Sequence, residues 1–213
     1  MLLYAHRGYK KKENTIESFK NSFNIFDGFE LDVRLSKDKI PVVIHDSNLL
    51  RTHDSDTIVH LTNYEDLKKY NILTLLETLL LVKNNNKKCL IDIKVKNNSN
   101  YIINYLKKLI DSKKISSSIF KCIVYTDNIN FYPNIQILRA GRYKFTKNIN
   151  TKFHGISIAY RGSDKEIEYI QNNIDYILKK NFHLNLYIES SNSNSDNFIK
   201  YLILNYNNIS ITL

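Results

Sequence analysis

The feature that most constrains this chain is an alternation sustained from one end to the other. Short β-branched, apolar runs are each followed by stretches of helical period. That pattern belongs to repeating βα units, in which strands lie largely parallel in a sheet and helices cover it. Strand runs fall at Leu2 to His6, Phe29 to Leu35, Pro41 to His45, Cys89 to Val95, Phe120 to Tyr125, Ile135 to Leu138, Gly155 to Ala159, Leu184 to Ile188 and Ile209 to Thr212. Helical patterns fall at Thr15 to Phe26, Tyr64 to Tyr70, Leu75 to Lys83, Tyr101 to Leu109, Lys165 to Leu178 and Asn197 to Tyr206. With 2 Pro, 5 Gly and no Gly/Ser-rich or Pro-rich linker, nothing divides the chain, so one domain over residues 1–213 is expected.

Three helices carry start signals. Asn14 with Glu17, Thr62 with Glu65, and Thr74 with Glu77 share the spacing at which a side-chain oxygen accepts from orphan amides while a carboxylate returns to the cap. Within the first helix, Ile16, Phe19, Phe23 and Phe26 recur at three- and four-residue steps, which predicts one apolar stripe against a sheet.

The most informative strand is Gly28-Phe29-Glu30-Leu31-Asp32-Val33-Arg34-Leu35. Alternation sends Phe29, Leu31, Val33 and Leu35 to one face and Glu30, Asp32 and Arg34 to the other. At a rise near 3.3 Å per residue the two carboxylates stand roughly 7 Å apart at the backbone, close enough to converge on one hard cation. A solvated edge strand would show the same alternation. The pattern recurs in Cys89-Leu90-Ile91-Asp92-Ile93-Lys94-Val95, where Asp92 and Lys94 oppose an apolar face. Strands with helix-facing apolar sides and inward acids describe the catalytic end of a βα barrel. There Asp92 would complete a metal site, and Lys94 would meet a phosphate oxygen.

Two histidines end predicted strands, His6 after Leu2-Leu3-Tyr4-Ala5 and His45 after Val42-Val43-Ile44. An imidazole gives or takes a proton at neutral pH, so a pair beside acids suits phosphodiester cleavage. Arg7 offers a planar fork for phosphate. His53, His60, His154 and His183 lack such company and are read as non-catalytic.

Four blocks of these residues resemble the glycerophosphodiester phosphodiesterase family in order and spacing. They are Ala5-His6-Arg7-Gly8, Glu13-Asn14-Thr15-Ile16-Glu17-Ser18-Phe19, Glu30-Leu31-Asp32-Val33-Arg34-Leu35-Ser36-Lys37-Asp38 and Pro41-Val42-Val43-Ile44-His45-Asp46. Leu50-Arg51-Thr52, the stretch from Thr74 to Leu80 and Ile91-Asp92-Ile93-Lys94 extend the likeness, which is strong over residues 1–96 and faint after them. The resemblance implies an α/β fold, a TIM-type (β/α)8 barrel. It also implies a metal-dependent hydrolase that cleaves glycerophosphodiesters to glycerol 3-phosphate and an alcohol. Carried over by motif, His6 and His45 match the acid/base pair, Glu30 and Asp32 the metal ligands with Asp92 as the third, and Arg7 and Lys94 the phosphate-binding positions. Glu13 and Asn14 match a motif taken to shape the loop behind His6. The implied cofactor is Mg²⁺ or Ca²⁺, and either water or the substrate's own 2-hydroxyl could attack.

This chain departs from the family's pattern in three places. Asp92 replaces the usual Glu and is one methylene shorter. In Leu186-Tyr187-Ile188-Glu189 the family's Trp-Thr-Val-Asn pattern is absent, Glu189 is read as standing at the aromatic's place, and it becomes a candidate for the substrate-pocket rim. Finally, Asn208 to Leu213 reads as an eighth barrel strand with no chain left for the last outer helix, which would leave that side of the barrel open to solvent, a partner or an early helix and make its apolar strand face a candidate oligomer contact.

Composition narrows the alternatives. The formal charge of +10 arises from lysines dispersed in ones and twos, apart from Lys10-Lys11-Lys12, among abundant Asn, Ile and Tyr. This is a compositional bias rather than a nucleic-acid face, although it favours capture of anionic substrates. Cys89 and Cys122 lie in strand-like segments and read as buried free thiols of a reducing compartment. No apolar run reaches the roughly 18 residues of a membrane span, and the start lacks a signal-peptide pattern, so a cytoplasmic location is expected. Small glycerophosphodiesters or lysophospholipids are the expected substrates, with peripheral contact to an anionic membrane surface left open. Two alternatives stand beside the leading one: a phospholipase D-type enzyme acting on lysophospholipid or sphingolipid headgroups, and a catalytically silent barrel used as a binding module.

Overall fold

The structure is a computed structural model that describes residues 1–142, 152–161, 163–179, 183–188, 193–206 and 209–213. In chain order its elements are β1 (Leu2–Ala5), α1 (Ile16–Ser22), β2 (Gly28–Leu35), β3 (Pro41–Val43), β4 (Asn48–Leu49), α2 (Leu50–His53), β5 (Ser55–Ile58), α3 (Tyr64–Leu67), α4 (Leu75–Asn84), β6 (Lys88–Ile93), α5 (Ser99–Asp111), β7 (Phe120–Val124), β8 (Ile137–Arg142), β9 (Gly155–Tyr160), α6 (Asp164–Lys179), β10 (His183–Ile188), α7 (Ser193–Asn205) and β11 (Ile209–Thr212).

Eight of these strands pair in parallel around a closed ring in the order β1-β2-β6-β7-β8-β9-β10-β11, and β11 returns to β1. This is the expected (β/α)8 barrel. The ninth predicted strand is not a barrel stave: β3 pairs antiparallel with the end of β2, Val33 opposite Val43. Beyond it, β4 and β5 form a small separate sheet.

The period-two pattern decides which side of each strand meets the helices. Phe29, Leu31, Val33 and Leu35 of β2 pack outward with Cys89, Ile91 and Ile93 of β6, against Phe19 of α1, Leu79 of α4 and Leu106 of α5. Phe19 stacks on Phe29 with ring centroids 4.0 Å apart. On the other flank Ile156, Ile158, Leu184, Leu186, Ile209 and Ile211 pack against α6 and α7. Inside the barrel, Tyr4, Leu90, Ile123 and Leu138 plug the floor. Gly28 permits the β2–β6 pairing, since a Cβ there would lie 2.0 Å from the Lys88 carbonyl oxygen.

Several expectations are corrected. The cap of α1 is Thr15, whose hydroxyl and Ser18 form the capping box; Asn14 instead adopts a left-handed backbone and turns its side chain to Asp32. Before α3 the cap is Asn63 with no side-chain bond, while Thr62 donates to the Ile58 carbonyl. The Thr74–Glu77 box of α4 forms as expected. Ile16, the first residue of α1, leaves the apolar stripe and is 44% exposed, whereas Phe19 is buried and Phe23 and Phe26 pack against the core. The face of β11 is not bare: Ile209 and Ile211 are buried with Phe198 and Leu202 of α7. Cys89 and Cys122 are buried free thiols. Among the described residues no helix is long and apolar enough to cross a membrane.

Candidate active site

Because β2 and β6 turn their odd apolar residues outward, their acids have only the barrel interior to enter. Asp32 and Asp92 are direct register partners on these strands, and Glu30 lies one inward position below Asp32. Carboxylate oxygens of Glu30, Asp32 and Asp92 lie within 4.8 Å of one another, and all three residues are buried. Oδ1 of Asp92 has no hydrogen-bond partner among the described residues. Burial first, then the charges of Asp32 and Asp92, raise the Glu30 pKa well above the usual carboxylate range. Burial likewise raises that of Asp92, against the opposing pull of Lys94. A buried triad of oxygen donors that resists its own negative charge is suited to a hard divalent cation.

Cations frame the triad. Lys94 Nζ lies 2.6 Å from Asp92 Oδ2 and 3.1 Å from Asp32 Oδ1. Tyr125 O–H donates to Asp92 at 2.8 Å. Arg7 Nε lies 3.0 Å from Asp32 Oδ2, and the Arg7 backbone N–H donates to Glu30 at 3.2 Å. The loop after β1 makes this possible: Arg7 and Gly8 both have positive φ, and a Cβ on Gly8 would come 2.3 Å from Ser18 Oγ. Asn14 closes the loop by donating to Asp32 Oδ2 at 2.9 Å and accepting from the Asp32 backbone N–H at 3.3 Å. Glu13 bridges Arg7, at 3.2 Å, to Arg51, at 2.9 Å, and so ties the β1 loop to α2.

The histidines approach from two directions. His6 follows β1, with Nε2 3.8 Å from Glu30 Oε2 and Nδ1 3.3 Å from the Tyr187 hydroxyl. Burial first and Arg7 next push its imidazole down to about 4, against the pull of Asp32. His45 is carried back over the rim by the β3 hairpin, where the Ile44 N–H donates to the Asp32 carbonyl. Its Nδ1 lies 2.6 Å from Asp46, which also accepts from Arg51 at 2.6 Å.

His6, Arg7, Glu30, His45, Asp92 and Lys94 line one cavity of about 680 Å³. Asp32, and Glu13 and Asn14 of the loop after β1, are not part of that lining. Glu189 falls outside the described residues. Sequence reasoning missed Tyr125, Tyr187, Asp46 and Arg51. Alternation along β10 offered the signal for Tyr187: His183, Asn185 and Tyr187 share one face, and the ring lies 4.6 Å from that of His6, centroid to centroid. Tyr187 and Tyr125 both present aromatic rings to the cavity.

Comparison with known proteins follows the same lines. The sequence profile described as "Glycerophosphoryl diester phosphodiesterase family" matches residues 6–199. An uncharacterised protein of Mycoplasma genitalium is 38% identical over 129 residues, covering 53% of this chain and 52% of its own length. A glycerophosphodiester phosphodiesterase of Caldanaerobacter subterraneus is 45% identical over 71 residues, 32% of this chain and 29% of that protein. The chain thus spans about half or less of the length of these curated relatives. In fold it is similar to a phosphodiesterase of Oleispira antarctica solved in complex with the product sn-glycerol-3-phosphate. The TM-score is 0.73 at 18% identity, covering 100% of this chain and 92% of that one. With the profile matched over nearly its whole length, the chain belongs to the glycerophosphoryl diester phosphodiesterase family.

Proposed function

We propose that this chain is a metal-dependent hydrolase, a single barrel domain that cleaves glycerophosphodiesters to glycerol 3-phosphate and an alcohol. The observation that carries the reading is the convergence, in and directly around one cavity, of a buried carboxylate triad, two cations and two imidazoles. The product held by the Oleispira antarctica phosphodiesterase supports the same substrate class.

Glu30, Asp32 and Asp92 would hold Mg²⁺ or Ca²⁺, since the donor set is all oxygen and Asp92 Oδ1 is otherwise unsatisfied. When bound, such a cation neutralises phosphoryl charge as it develops. Arg7 and Lys94 hold the phosphate oxygens: both now lie against the triad's carboxylates, the charge a cation would share. Burial and Arg7 favour the neutral imidazole of His6, the form that can take the proton of the attacking oxygen. His45 is suited to protonate the leaving alcohol through Nε2, because Asp46 occupies its Nδ1 side and balances the imidazolium charge. Asn14 and Glu13 act at one remove, fixing Asp32 and Arg7.

The test is release of glycerol 3-phosphate from a panel of glycerophosphodiesters and lysophospholipids with Mg²⁺, Ca²⁺ or chelator. Cation-dependent turnover that falls at least 10²-fold in both His6→Ala and His45→Ala is expected from the loss of general acid/base catalysis. Folded, cation-binding protein with no turnover on any member would overturn the hydrolase reading in favour of a binding module.

A further inference from the structure

The cavity extends well beyond the catalytic cluster, and its far wall has a different chemistry. In the ring, β8 and β9 stand four places from β1 and β2. Their lining residues Ala140, Gly141, Ser157 and Ala159 are small, and a Cβ added at Gly141 would meet nothing within 4 Å. The space of about 680 Å³ therefore continues past the acids toward these strands, with Arg139 and Arg161 on its boundary.

Hydrogen-bond direction gives this wall its sign. Ser210 donates its one proton to Asn185 Oδ1 at 2.7 Å, so it must accept from His183 Nε2 at 2.8 Å. That fixes the imidazole as the Nε2–H tautomer, and Nδ1 accepts from Lys121 at 3.0 Å. Thr212 also donates to Asn185 Oδ1, at 3.3 Å, so the amide's oxygen is occupied and its nitrogen donates to Ser157 Oγ at 2.9 Å. Every link runs the same way, from the Lys121 ammonium at the floor to Ser157, whose own O–H is left to turn into the cavity. Such a chain polarises toward a donor at its open end. Glu166 also lines the cavity and keeps its charge, its Oε2 accepting from the backbone N–H groups of Arg161 and Ser163, so one carboxylate there stands against two guanidinium groups. On Arg139, Nε and Nη2 donate to Asp127 and Nη1 to the Ala140 carbonyl, leaving two of the five guanidinium N–H groups unused among the described residues. Asp127 is itself 70% exposed, so that pairing is a weak competitor.

The geometry points to a second anion subsite on the β8–β9 wall, formed by the Ser157 hydroxyl with Arg161 and Arg139. It would take a phosphomonoester or carboxylate carried by the leaving alcohol. This rests on the phosphodiesterase reading and refines its substrate class: diesters with a second negative charge are preferred over those with a cationic alcohol such as choline. Arg7, Lys94 and the triad already account for the reacting phosphate, so the donors across the barrel are additional to it.

A matched pair tests it: glycerophosphoinositol against glycerophosphoinositol 4-phosphate, with glycerophosphocholine as the cationic comparison. Wild-type kcat/KM should favour the phosphorylated member at least tenfold, and that ratio should fall toward one in Ser157→Ala and Arg161→Gln. A general folding defect would lower both substrates alike and leave the ratio intact. Equal kcat/KM in the wild type, or a ratio unchanged in both variants, overturns the subsite while leaving the hydrolase standing. If no diester is turned over, the hydrolase reading fails and calorimetry without divalent cation decides the subsite. Inositol 4-phosphate should bind at least tenfold more tightly than inositol, and less so in Arg161→Gln; equal binding overturns it.

Discussion

Lys121 enters the barrel floor from β7, where burial first and the Lys88 charge next push its ammonium down to about 8. Its folded-state pKa lies below the unfolded value of about 10.4, so between these pH values the unfolded chain binds more protons. Stability from this group therefore rises with pH across that window and is lowest below about 8. Lys121→Met removes the titration, and with it one hydrogen bond to His183. The expected outcome is that wild type gains on the variant between pH 7 and pH 10 in urea unfolding at each pH. A difference that stays flat, or shrinks, would show that the ammonium is solvated in the folded protein. The same residue starts the donor chain that ends at Ser157, so one side chain serves both the floor and the cavity wall.

At the scale of elements, a shared spacing in sequence separates into three outcomes. Thr74 accepts from the Glu77 N–H at 3.1 Å while Glu77 returns to the Thr74 N–H at 2.7 Å, so Thr74→Ala should cost about 1 kcal/mol. For a chain of this length that is a fall in Tm of about 2–4 °C by calorimetry. Thr62→Ala, whose hydroxyl bonds only the exposed Ile58 carbonyl, should lie within about 0.5 kcal/mol of wild type. Equal losses in the two variants would refute the distinction. Asn14 forms no cap and is tied to Asp32. Sequence cannot separate these cases because spacing records which partners are reachable, whereas the β1 loop's left-handed turn at Asn14 decides which are reached. The barrel strands were legible because alternation is enforced by burial on their helix-facing sides, and this placed Glu30, Asp32, Asp92 and Lys94 inside. Arg51 and Asp46 were not, since they meet Glu13 and His45 only after the β3 hairpin folds back across the rim. Tyr187 was legible by the same alternation on β10, which puts it on the face shared by His183 and Asn185.

Across the whole molecule, closure of the ring is also what seats the first imidazole. The His6 N–H donates to the Leu213 carbonyl at 2.7 Å, and the Leu213 N–H donates to the Tyr4 carbonyl at 2.9 Å. Leu213 thus meets the Tyr4–His6 backbone beside the catalytic cluster, and the β11 side of the ring fixes the backbone from which His6 projects. The acid triad stands on β2 and β6, at other places in the ring, and does not depend on this contact. Deleting Leu213 removes two backbone hydrogen bonds worth about 1 kcal/mol each, and little apolar burial, since that side chain is 46% exposed. A Tm lower by about 4–8 °C is expected. The effect on turnover should be larger in proportion, because a misplacement of about 1 Å in a reacting group costs on the order of 10²-fold. The deletion should therefore lower kcat by at least tenfold while the rise in Tm produced by saturating Mg²⁺ or Ca²⁺ is retained. Loss of the cation-induced rise together with kcat would mean that the barrel had opened as a whole. Unchanged kcat would mean that His6 is held by Tyr187 and Glu30 alone.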